Sequence, residues 1–265
     1  GTTSSTESSS GGSVSVEFMN LEFMLADWAN ARVGMLLMPM GFVNEIHEPP
    51  FYYGVARPEV ERRLIPSTWR EMGAGLFGRI GEWGEYRAYV TTGLNARGLR
   101  PSGLRDARQH GNRAFAEDVA FVGRVDFKPL EGLGIGTSFY HGESGQDVSA
   151  TVTGFGSVKL PKTPITLWEL HSEYDWEGFE LRGLFALAHV GDAGRLTRAL
   201  RPASVGGLAE IGASDVIGSA MLGGYGEISY DVWRWISPDS NMRLSPFFRY
   251  EYLDTQWDTP SGFES

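Results

Sequence analysis

The sequence of 265 residues contains no cysteine, which excludes disulfide bridges and thiolate metal sites. Lysine is scarce, because only Lys128, Lys159 and Lys162 occur. The formal net charge is −10, whereas general nucleic-acid binding requires a basic surface. We therefore expect no nucleic-acid partner.

Long apolar runs are also absent: no stretch approaches the roughly 18 consecutive apolar residues of a membrane-spanning helix. The hydrophobic content of 42% and the mean hydropathy of −0.21 are those of an ordinary globular protein. A transmembrane β-barrel has similar averages, because half of each strand faces water. The composition therefore argues against spanning helices and leaves both a soluble β-protein and a β-barrel open.

Catalytic and metal-binding patterns are lacking. The five histidines are scattered along the chain. His47-Glu48 resembles the start of a zinc-protease motif, but Pro49 and Pro50 follow and forbid the helix that would align two ligands. The glycine-rich segments 73–78 and 132–136 do not open a helix in a βαβ unit and are better interpreted as strand glycines. We expect no enzyme activity, no metal and no cofactor.

From about Met72 onward, the chain repeats a unit of about ten residues in which apolar and polar side chains alternate. In segment 165–175, Trp168 and Leu170 lie on one predicted face, and Glu169 and His171 lie on the other. Glycine (35 residues) and aromatic side chains (12%) are abundant, as expected for tight turns and interfacial aromatic girdles. The repetition predicts an all-β fold, an antiparallel transmembrane β-barrel with about ten strands in this chain.

The predicted organisation alternates short turns with long loops. Residues 1–13 are expected to be a disordered or loop leader, 14–255 the barrel strands, and 256–265 a loop-like end. Long loops are predicted at 41–71, 96–117, 142–163 and 191–217, the last with a short helix at 193–200. We expect a bulge near Met19–Asn20 and a last hairpin of strands 219–235 and 242–254. Such alternation is typical of outer-membrane barrels, whereas a soluble sandwich has no reason to maintain it.

Segment 41–73 carries the pattern N-x-x-H-E-P-P, R-P-x-V-E and I-P-x-x-W-x-E-x-G-x-G. It resembles a loop of the phosphate-selective porin O and P family, and segments 103–111, 167–171 and 245–252 agree in order. The resemblance implies a water-filled barrel of roughly 16 strands in the bacterial outer membrane, often trimeric, that passes small solutes. Strands 14–25 and 242–254 are then expected not to pair with each other. The family's lysine- and arginine-rich pores are not matched by three lysines, so phosphate selectivity is not carried over.

The long loop at 41–71 is stiffened by Pro49, Pro50, Pro58 and Pro66. One hypothesis is that it folds inward as a pore constriction, and the other is that it forms a rim or subunit contact locked by its own ion pairs. The balanced charges slightly favour the second. The candidate residues for either role are Arg57, Glu59, Glu61, Arg62, Arg63, Arg70 and Glu71.

The phase of the strands also predicts which side chains face the lumen and which face lipid. The candidate lumen-facing residues are Arg87, Arg124, Asp126, Lys128, Glu169, His171, Glu173, Arg249 and Glu251, with Glu180 or Arg182. The aromatic residues expected to face outward are Trp168, Tyr174, Trp176, Tyr230, Phe248 and Tyr250. A ring of one sign would select the opposite ion, but these lumen charges are mixed, and they could equally pair across neighbouring strands.

The sequence thus predicts an outer-membrane porin for passive diffusion of small solutes or ions, including anions. Its expected partners are outer-membrane lipids, the permeating solutes and further copies of itself, as a trimer by the resemblance. A non-conducting structural or adhesion barrel is the alternative. A soluble β-sandwich that acts as a binding module is a third hypothesis, although outward aromatic residues would make such a protein prone to aggregate.

Overall fold

The computed structural model describes residues 16–46, 51–111, 114–152, 154, 156–202, 204, 206–238 and 241–263. The predicted leader at 1–13 lies outside these residues, as do His47, Glu48, Pro49 and Pro50 of the long loop. Within the described part, the chain is predominantly antiparallel β-structure, which confirms the all-β prediction at that level.

Ten antiparallel strands form one sheet in the described part of the chain, and each strand pairs with its neighbours in the order of the chain. They are β1 Met19–Ala26, β2 Ala29–Leu37, β3 Arg70–Ile80, β4 Gly84–Thr92, β5 Val119–Leu130, β6 Leu133–Gly142, β9 Ile165–Trp176, β10 Phe179–Val190, β11 Ala220–Tyr230 and β12 Phe247–Asp258. The strands β7 Ser149–Val152 and β8 Gly156–Lys159 form a separate hairpin within the loop between β6 and β9, which the sequence analysis did not predict.

Two α-helices occur in the described residues, α1 Ala193–Leu200 and α2 Trp233–Ile236. The predicted helix at 193–200 is confirmed. None of the described helices combines the length and the apolar character needed to cross a membrane.

The sheet is open among the described residues, because β1 and β12 are its two edges and do not pair with each other. This outcome confirms the prediction that the first and last strands would remain unpaired with one another. Register is regular over most of the sheet, and neighbouring strands pair over eight to twelve residues in its centre. The sheet therefore has two unpaired edges, each a row of available backbone donors and acceptors.

Four tight connections lie at one end of the strands, at residues 27–28, 81–83, 131–132 and 177–178. Gly132 shows why such a turn requires glycine: its φ is +79°, and an added Cβ would lie 2.2 Å from the carbonyl oxygen of Asp175. The other end carries the long connections 38–69, 93–118, 143–164 and 191–219. The predicted alternation of short and long connections holds for these eight.

Three predicted details of the edge hairpins are wrong. The register is regular at Met19–Asn20 and shifts between Phe23 and Ala26, where the Asn30 side chain accepts a hydrogen bond from the Leu25 amide (2.9 Å). Strand β11 ends at Tyr230, and α2 replaces the predicted strand end because the Asp231 carboxylate accepts bonds from two amides of the connection, each at 3.1 Å. Strand β12 continues to Asp258, so the loop-like end begins after that residue.

The buried core lies on one face of the sheet, toward the long-loop ends of the strands. Strand residues such as Tyr89, Val122 and Tyr140 have no exposed surface, and they pack with loop side chains such as Trp69 and Leu104. The rings of Trp69 and Tyr140 are 4.9 Å apart. The long loops therefore cover this face, which we call the inner face, and bury apolar area that drives their folding onto the sheet.

Candidate functional site

The inner face also carries most of the charged residues predicted for the lumen. On β9, Glu169 and His171 are 0% and 4% exposed, whereas the neighbouring Trp168 and Leu170 are 38% and 44% exposed. This alternation follows from the two-residue period of a strand. It places the predicted charged and apolar sets on opposite faces, as the sequence pattern indicated.

The opposite face, which we call the outer face, exposes large apolar and aromatic side chains. Phe248 and Tyr250 are 66% and 68% exposed, and Trp176 is 54% exposed. Tyr174 and Tyr230 are half-buried on the same face. The predicted outward residues therefore share the face away from Glu169 and His171. Exposed apolar surfaces, where they are large and contiguous, are typical of interaction sites.

One charged cluster on the inner face joins side chains of two strands, and the strand between them contributes a glycine. Asp126 of β5, Gly136 of β6 and His171 of β9 lie opposite one another in register. His171 Nε2 lies 3.0 Å from Asp126 Oδ1, and His171 Nδ1 lies 2.9 Å from Glu169 Oε2. An added Cβ at Gly136 would lie 2.4 Å from both Asp126 Oδ1 and His171 Nε2. The glycine therefore creates the space in which the two side chains meet.

Two arginines complete this cluster. Arg124 Nε lies 2.7 Å and Arg87 Nη1 lies 3.0 Å from Asp126 Oδ2. Glu45, from the long loop, approaches Arg87 and Arg124 at 3.6 and 3.9 Å. The positive and negative charges are thus close to balanced, and the cluster does not form a ring of one sign.

A second cluster lies near the β12 edge. Arg249 of β12 forms an ion pair with Glu227 of β11, which lies directly opposite. Arg249 also donates to the carbonyl oxygens of Tyr53 (2.8 Å) and Ala56 (3.2 Å). The Glu251 carboxylate accepts a hydrogen bond from the Glu59 amide at 2.6 Å. Both predicted residues of β12 therefore bind the backbone of the long loop.

The connection 38–69, which we call the crossing loop, lies across the inner face. Its two ends are held together by Asn44, whose side chain donates to the carbonyl oxygens of Met38 (2.8 Å) and Trp69 (2.9 Å). It leaves β2 and returns at β3, yet its π-helical segment Val60–Leu64 contacts β10, β11 and β12. The loop thus reaches strands at the far edge of the sheet and lies over the charged face between them.

Glu61 anchors the crossing loop to the inner face of strand β11. Its carboxylate accepts hydrogen bonds from the Tyr225 hydroxyl of β11 (2.5 Å) and from the Val43 amide of the loop itself (2.6 Å). The residue is 1% exposed. Burial raises the pKa of Glu61, and the nearby charge of Glu169 acts in the same direction, while the hydrogen bonds from Tyr225 and Val43 oppose the shift. Glu61 is therefore a buried anchor of the loop.

The arginines predicted for the loop are not gathered at one point. Arg62 and Arg63 bind Glu59, three and four residues earlier, at 2.7 and 2.6 Å. Burial acts to raise the pKa of Glu59, but its hydrogen bonds from Arg62 and Arg63 outweigh burial, and the pKa is lowered. These two guanidinium groups are therefore paired within the loop and are 43% and 41% exposed.

Arg57 lies near a different group of cations, which sequence reasoning missed. Arg57 Nη1 and Arg105 Nη1 donate to the Ser67 hydroxyl at 3.0 and 3.1 Å, and Arg108 Nη1 donates to the Thr68 hydroxyl at 2.7 Å. Burial lowers the pKa of Arg108 to about 10, with the charge of Arg105 adding to the effect. The connection 93–118 supplies Arg105 and Arg108 and therefore packs directly against the end of the crossing loop.

Arg70 and Glu71, at the start of β3, take separate roles. Arg70 Nε is buried without a hydrogen-bond partner among the described residues. Glu71 is fully buried and accepts bonds from the Gln109 amide (2.9 Å) and the Thr92 hydroxyl (3.1 Å). Glu71 thus joins β3 to the end of β4 and to the connection 93–118, whereas the charge of Arg70 acts on Arg108.

Of the remaining predicted residues, Lys128, Glu173 and Arg182 line a cavity of about 380 Å³ between the crossing loop and the strands. Glu180 lies outside this cavity and forms an ion pair with Arg243. Lys128 is exposed in the cavity, and the described residues give its amine no hydrogen bond or ion pair. Glu173 lies 3.7 Å from Arg182 of β10 and is 45% exposed. Sequence reasoning missed Glu45, Tyr225 and Glu227 as members of the site, although the alternation along β11 already placed Glu227 on the inner face.

No family model matches the chain. The chain is similar to an uncharacterized protein of Aquifex aeolicus (strain VF5), with 34% identity over 257 residues. The alignment covers 96% of this chain and 55% of that relative. The chain therefore spans about half the length of the relative, whose description names no activity.

Proposed function

We propose that this chain forms a large part of a bacterial outer-membrane porin, a channel for passive diffusion of small solutes or ions. The sheet would be the wall of the channel, the inner face its lining, and the crossing loop its narrowest part. The outer face would contact lipid and, in a trimer, neighbouring copies. We also propose that the chain belongs to the phosphate-selective porin O and P family, which the sequence pattern of segment 41–73 resembles.

The observation that carries this proposal is the opposition of the two faces over many strands. Exposed Trp, Tyr, Phe and Leu side chains occupy the outer face of β9 to β12, while buried Glu169, His171 and Glu227 occupy the inner face. A soluble protein would expose the charged face and bury the aromatic one. In a barrel wall, the order is reversed because lipid lies outside and water inside.

The positions of the loops support the same proposal. Four tight turns and the 16-residue connection 231–246 lie at one end of the sheet, and the four longest connections lie at the other. Short connections on one side and long loops on the other are the arrangement of outer-membrane barrels. The crossing loop is held on the inner face by contacts to Glu169, Tyr225, Arg249 and Glu251. This position favours the constriction over the rim contact, since the loop lies across the charged lining.

The open edges bear on the size of the barrel. An unpaired strand edge in lipid is very costly, because no water satisfies its backbone groups. We therefore propose that β1 and β12 pair with further strands and that the complete barrel has roughly 16. The relative, of which this chain spans about half, has sufficient length for additional strands.

The proposal is tested by reconstituting the native protein into planar bilayers. We expect the protein to require detergent for solubility and to produce stepwise, salt-dependent conductance. Removal of the crossing loop between Pro39 and Thr68 should increase the single-channel conductance, since the narrowest part would be lost. A protein that stays monomeric and soluble without detergent would contradict the proposal and favour a soluble β-protein.

A second candidate, a barrel that conducts nothing and serves a structural or adhesive role, is favoured by the apolar core. Leu64, Trp69, Leu94 and Leu104 of the long connections are fully buried against the long-loop half of the inner face. Such packing could plug the lumen. Stable insertion into bilayers without conductance, in the intact protein and in the loop deletion, would support this second candidate.

A further inference from the structure

The buried side chain of His171 lies where the crossing loop first meets the inner face. Its ring is 4.7 Å from the ring of Phe42, in an edge-to-face arrangement. Next to Phe42, the Gly41 carbonyl oxygen accepts a hydrogen bond from Arg124 Nη1 at 2.5 Å, and the Gly41 amide lies 3.4 Å from Glu169 Oε1. Two side chains that bind the first residues of the loop, Arg124 and Glu169, therefore also contact His171.

Both ring nitrogens of His171 face charged side chains. Nδ1 lies 2.9 Å from Glu169 Oε2, and Nε2 lies 3.0 Å from Asp126 Oδ1. Nε2 also lies 3.0 Å from Arg124 Nη2, which itself donates to Asp126 Oδ1 at 2.8 Å. Arg124 Nη2, Asp126 Oδ1 and His171 Nε2 therefore form a triangle with sides of 2.8, 3.0 and 3.0 Å.

One proton decides which contacts in this triangle are attractive, because a neutral imidazole carries one N–H and an imidazolium carries two. With the single proton on Nδ1, toward Glu169, the ring accepts from Arg124, and its Nε2 lone pair faces the Asp126 carboxylate. With a second proton on Nε2, the ring donates to Asp126, and its N–H faces an N–H of Arg124. Gain of the proton therefore moves the repulsive contact from Asp126 to Arg124.

The charges joined to one another around the ring make both protonation states accessible. Two cations, Arg87 and Arg124, and three anions, Glu45, Asp126 and Glu169, sum to −1 in their ionised forms, so a proton on His171 brings the group to zero. The remaining charged groups near the ring are Glu85 of β4, Lys128 of β5, Glu173 of β9, Arg182 of β10 and, through Glu169, Glu61 of the crossing loop.

We propose that His171 is a proton-dependent switch that holds the start of the crossing loop. The neutral ring accepts from Arg124 Nη2 and keeps this guanidinium where its Nη1 reaches the Gly41 carbonyl oxygen. The imidazolium repels the same guanidinium, as like charges do, and the contact with Gly41 is lost. The inference rests on the proposed porin function for its consequence, which is a wider constriction and a larger conductance in acid.

The inference is tested in detergent by hydrogen exchange of segment 40–45, followed by mass spectrometry and corrected for the intrinsic pH dependence of exchange. Glu61→Gln serves as the background, because burial raises the pKa of Glu61 and makes it a second titrating group of the loop. We expect exchange of the segment to accelerate about tenfold or more as pH falls from about 8 to about 5, the range in which a histidine gains its proton.

Two histidine variants in the same background locate the titrating group. His171→Gln does not titrate and should abolish the acceleration. His141→Gln is the matched control and should retain it, since His141 lies exposed on the outer face of β6, with its Nδ1 2.9 Å from Thr166 Oγ1.

A second measurement keeps the test independent of whether the histidine variants fold. NMR of the wild-type protein with nitrogen-15-labelled histidine follows the ring of His171 directly, and the neutral ring should carry its proton on Nδ1. Arg124→Lys retains the charge and loses the forked guanidinium that joins the ring to Gly41. In this variant, we expect His171 to titrate while the exchange of segment 40–45 no longer responds to pH.

Four results would each overturn the inference: acceleration that persists in His171→Gln, acceleration that is lost in His141→Gln, slower exchange in acid, and a His171 ring that does not titrate between about pH 5 and 8. Because no membrane is used, this result is separate from the bilayer experiment. Conductance together with a loop that ignores pH would contradict the switch alone. A loop that responds to pH in a protein that does not conduct would contradict the porin alone.

Discussion

At the scale of single residues, Glu61 gives the crossing loop a dependence on pH. Burial raises the pKa of Glu61, so the folded state holds the proton more strongly than the unfolded chain, where the pKa of a glutamate is about 4.3. The stabilisation linked to this proton is present below the unfolded pKa and is lost as pH rises through the folded pKa.

We therefore predict that Glu61→Gln changes the pH profile of thermal stability. Glutamine does not ionise. As pH rises from 4 to 8, the Tm of the wild type should therefore fall relative to the Tm of the variant. Circular dichroism in detergent measures both transitions. Glu143→Gln, in an exposed ion pair with Lys162, serves as the control and should lack this trend. Parallel profiles for wild type and Glu61→Gln would show that Glu61 is not a buried titrating group.

Gly136 provides a second test at residue scale. Gly136→Ala forces Asp126 and His171 apart, because the new Cβ would lie 2.4 Å from an atom of each. We expect a loss of about 1–3 kcal/mol in the free energy of unfolding, as for an overpacked site. Gly226→Ala on β11 is the control, since no atom lies within 4 Å of its Cβ position. Equal stability of both variants in denaturant titrations would argue against the close approach at Gly136.

At the scale of elements, β9 tests whether the outer face meets lipid. Leu170→Arg places a charge among exposed apolar side chains and should cost about 2–4 kcal/mol if the residue sits at the bilayer midplane. The folded fraction in lipid vesicles, followed by the heat-dependent gel shift typical of barrels, measures this cost. Leu170→Ala controls for lost packing and should fold nearly normally. Normal folding of Leu170→Arg in bilayers would mean that this face does not contact lipid.

The role of the crossing loop as a constriction is tested by the double substitution Arg62→Gln and Arg63→Gln. Both are exposed and pair with Glu59, and exposed ion pairs contribute only about 0–1 kcal/mol, so folding should be nearly unchanged. If the loop narrows the pore, loss of two positive charges should lower anion preference in a reversal-potential measurement. Arg195→Gln on α1 is the control and should leave preference unchanged. Unchanged selectivity with weakened oligomers would instead support a rim or subunit contact.

At the scale of the whole molecule, the open edges predict a cross-linking result. The chain lacks cysteine, so pairs can be introduced without background. Leu170→Cys with Phe185→Cys, which are directly opposite on β9 and β10, should form a disulfide under mild oxidation. Leu21→Cys with Tyr250→Cys, on β1 and β12, should not. Efficient cross-linking of the edge pair, seen as a mobility shift on gels, would show that the ten strands close on themselves.

Much of the β-sheet was predicted from local sequence pattern alone. The alternation at Trp168, Glu169, Leu170 and His171 predicted both faces of β9, because a strand's two-residue period is fixed by backbone geometry. The helix at 193–200 and the tight turns were likewise predicted from nearby residues. The connection after Tyr230 was predicted wrongly. Its course depends on the Asp231 carboxylate, which accepts hydrogen bonds from the amides of Trp233 and Leu244, and apolar periodicity does not reveal such contacts.

The site depended on contacts between distant segments. In the sequence, Glu61 was one of several acidic residues of the loop, and the balanced charges of that loop slightly favoured a rim or subunit contact. Only tertiary structure placed it beside Tyr225, which lies 164 residues further along the chain. The same holds for Asp126, Gly136 and His171, whose proximity depends on register across three strands. Local composition determined the alternating strands, because backbone geometry acts within a few residues. Tertiary structure decided which charges meet, because register and loop packing join segments far apart in the chain.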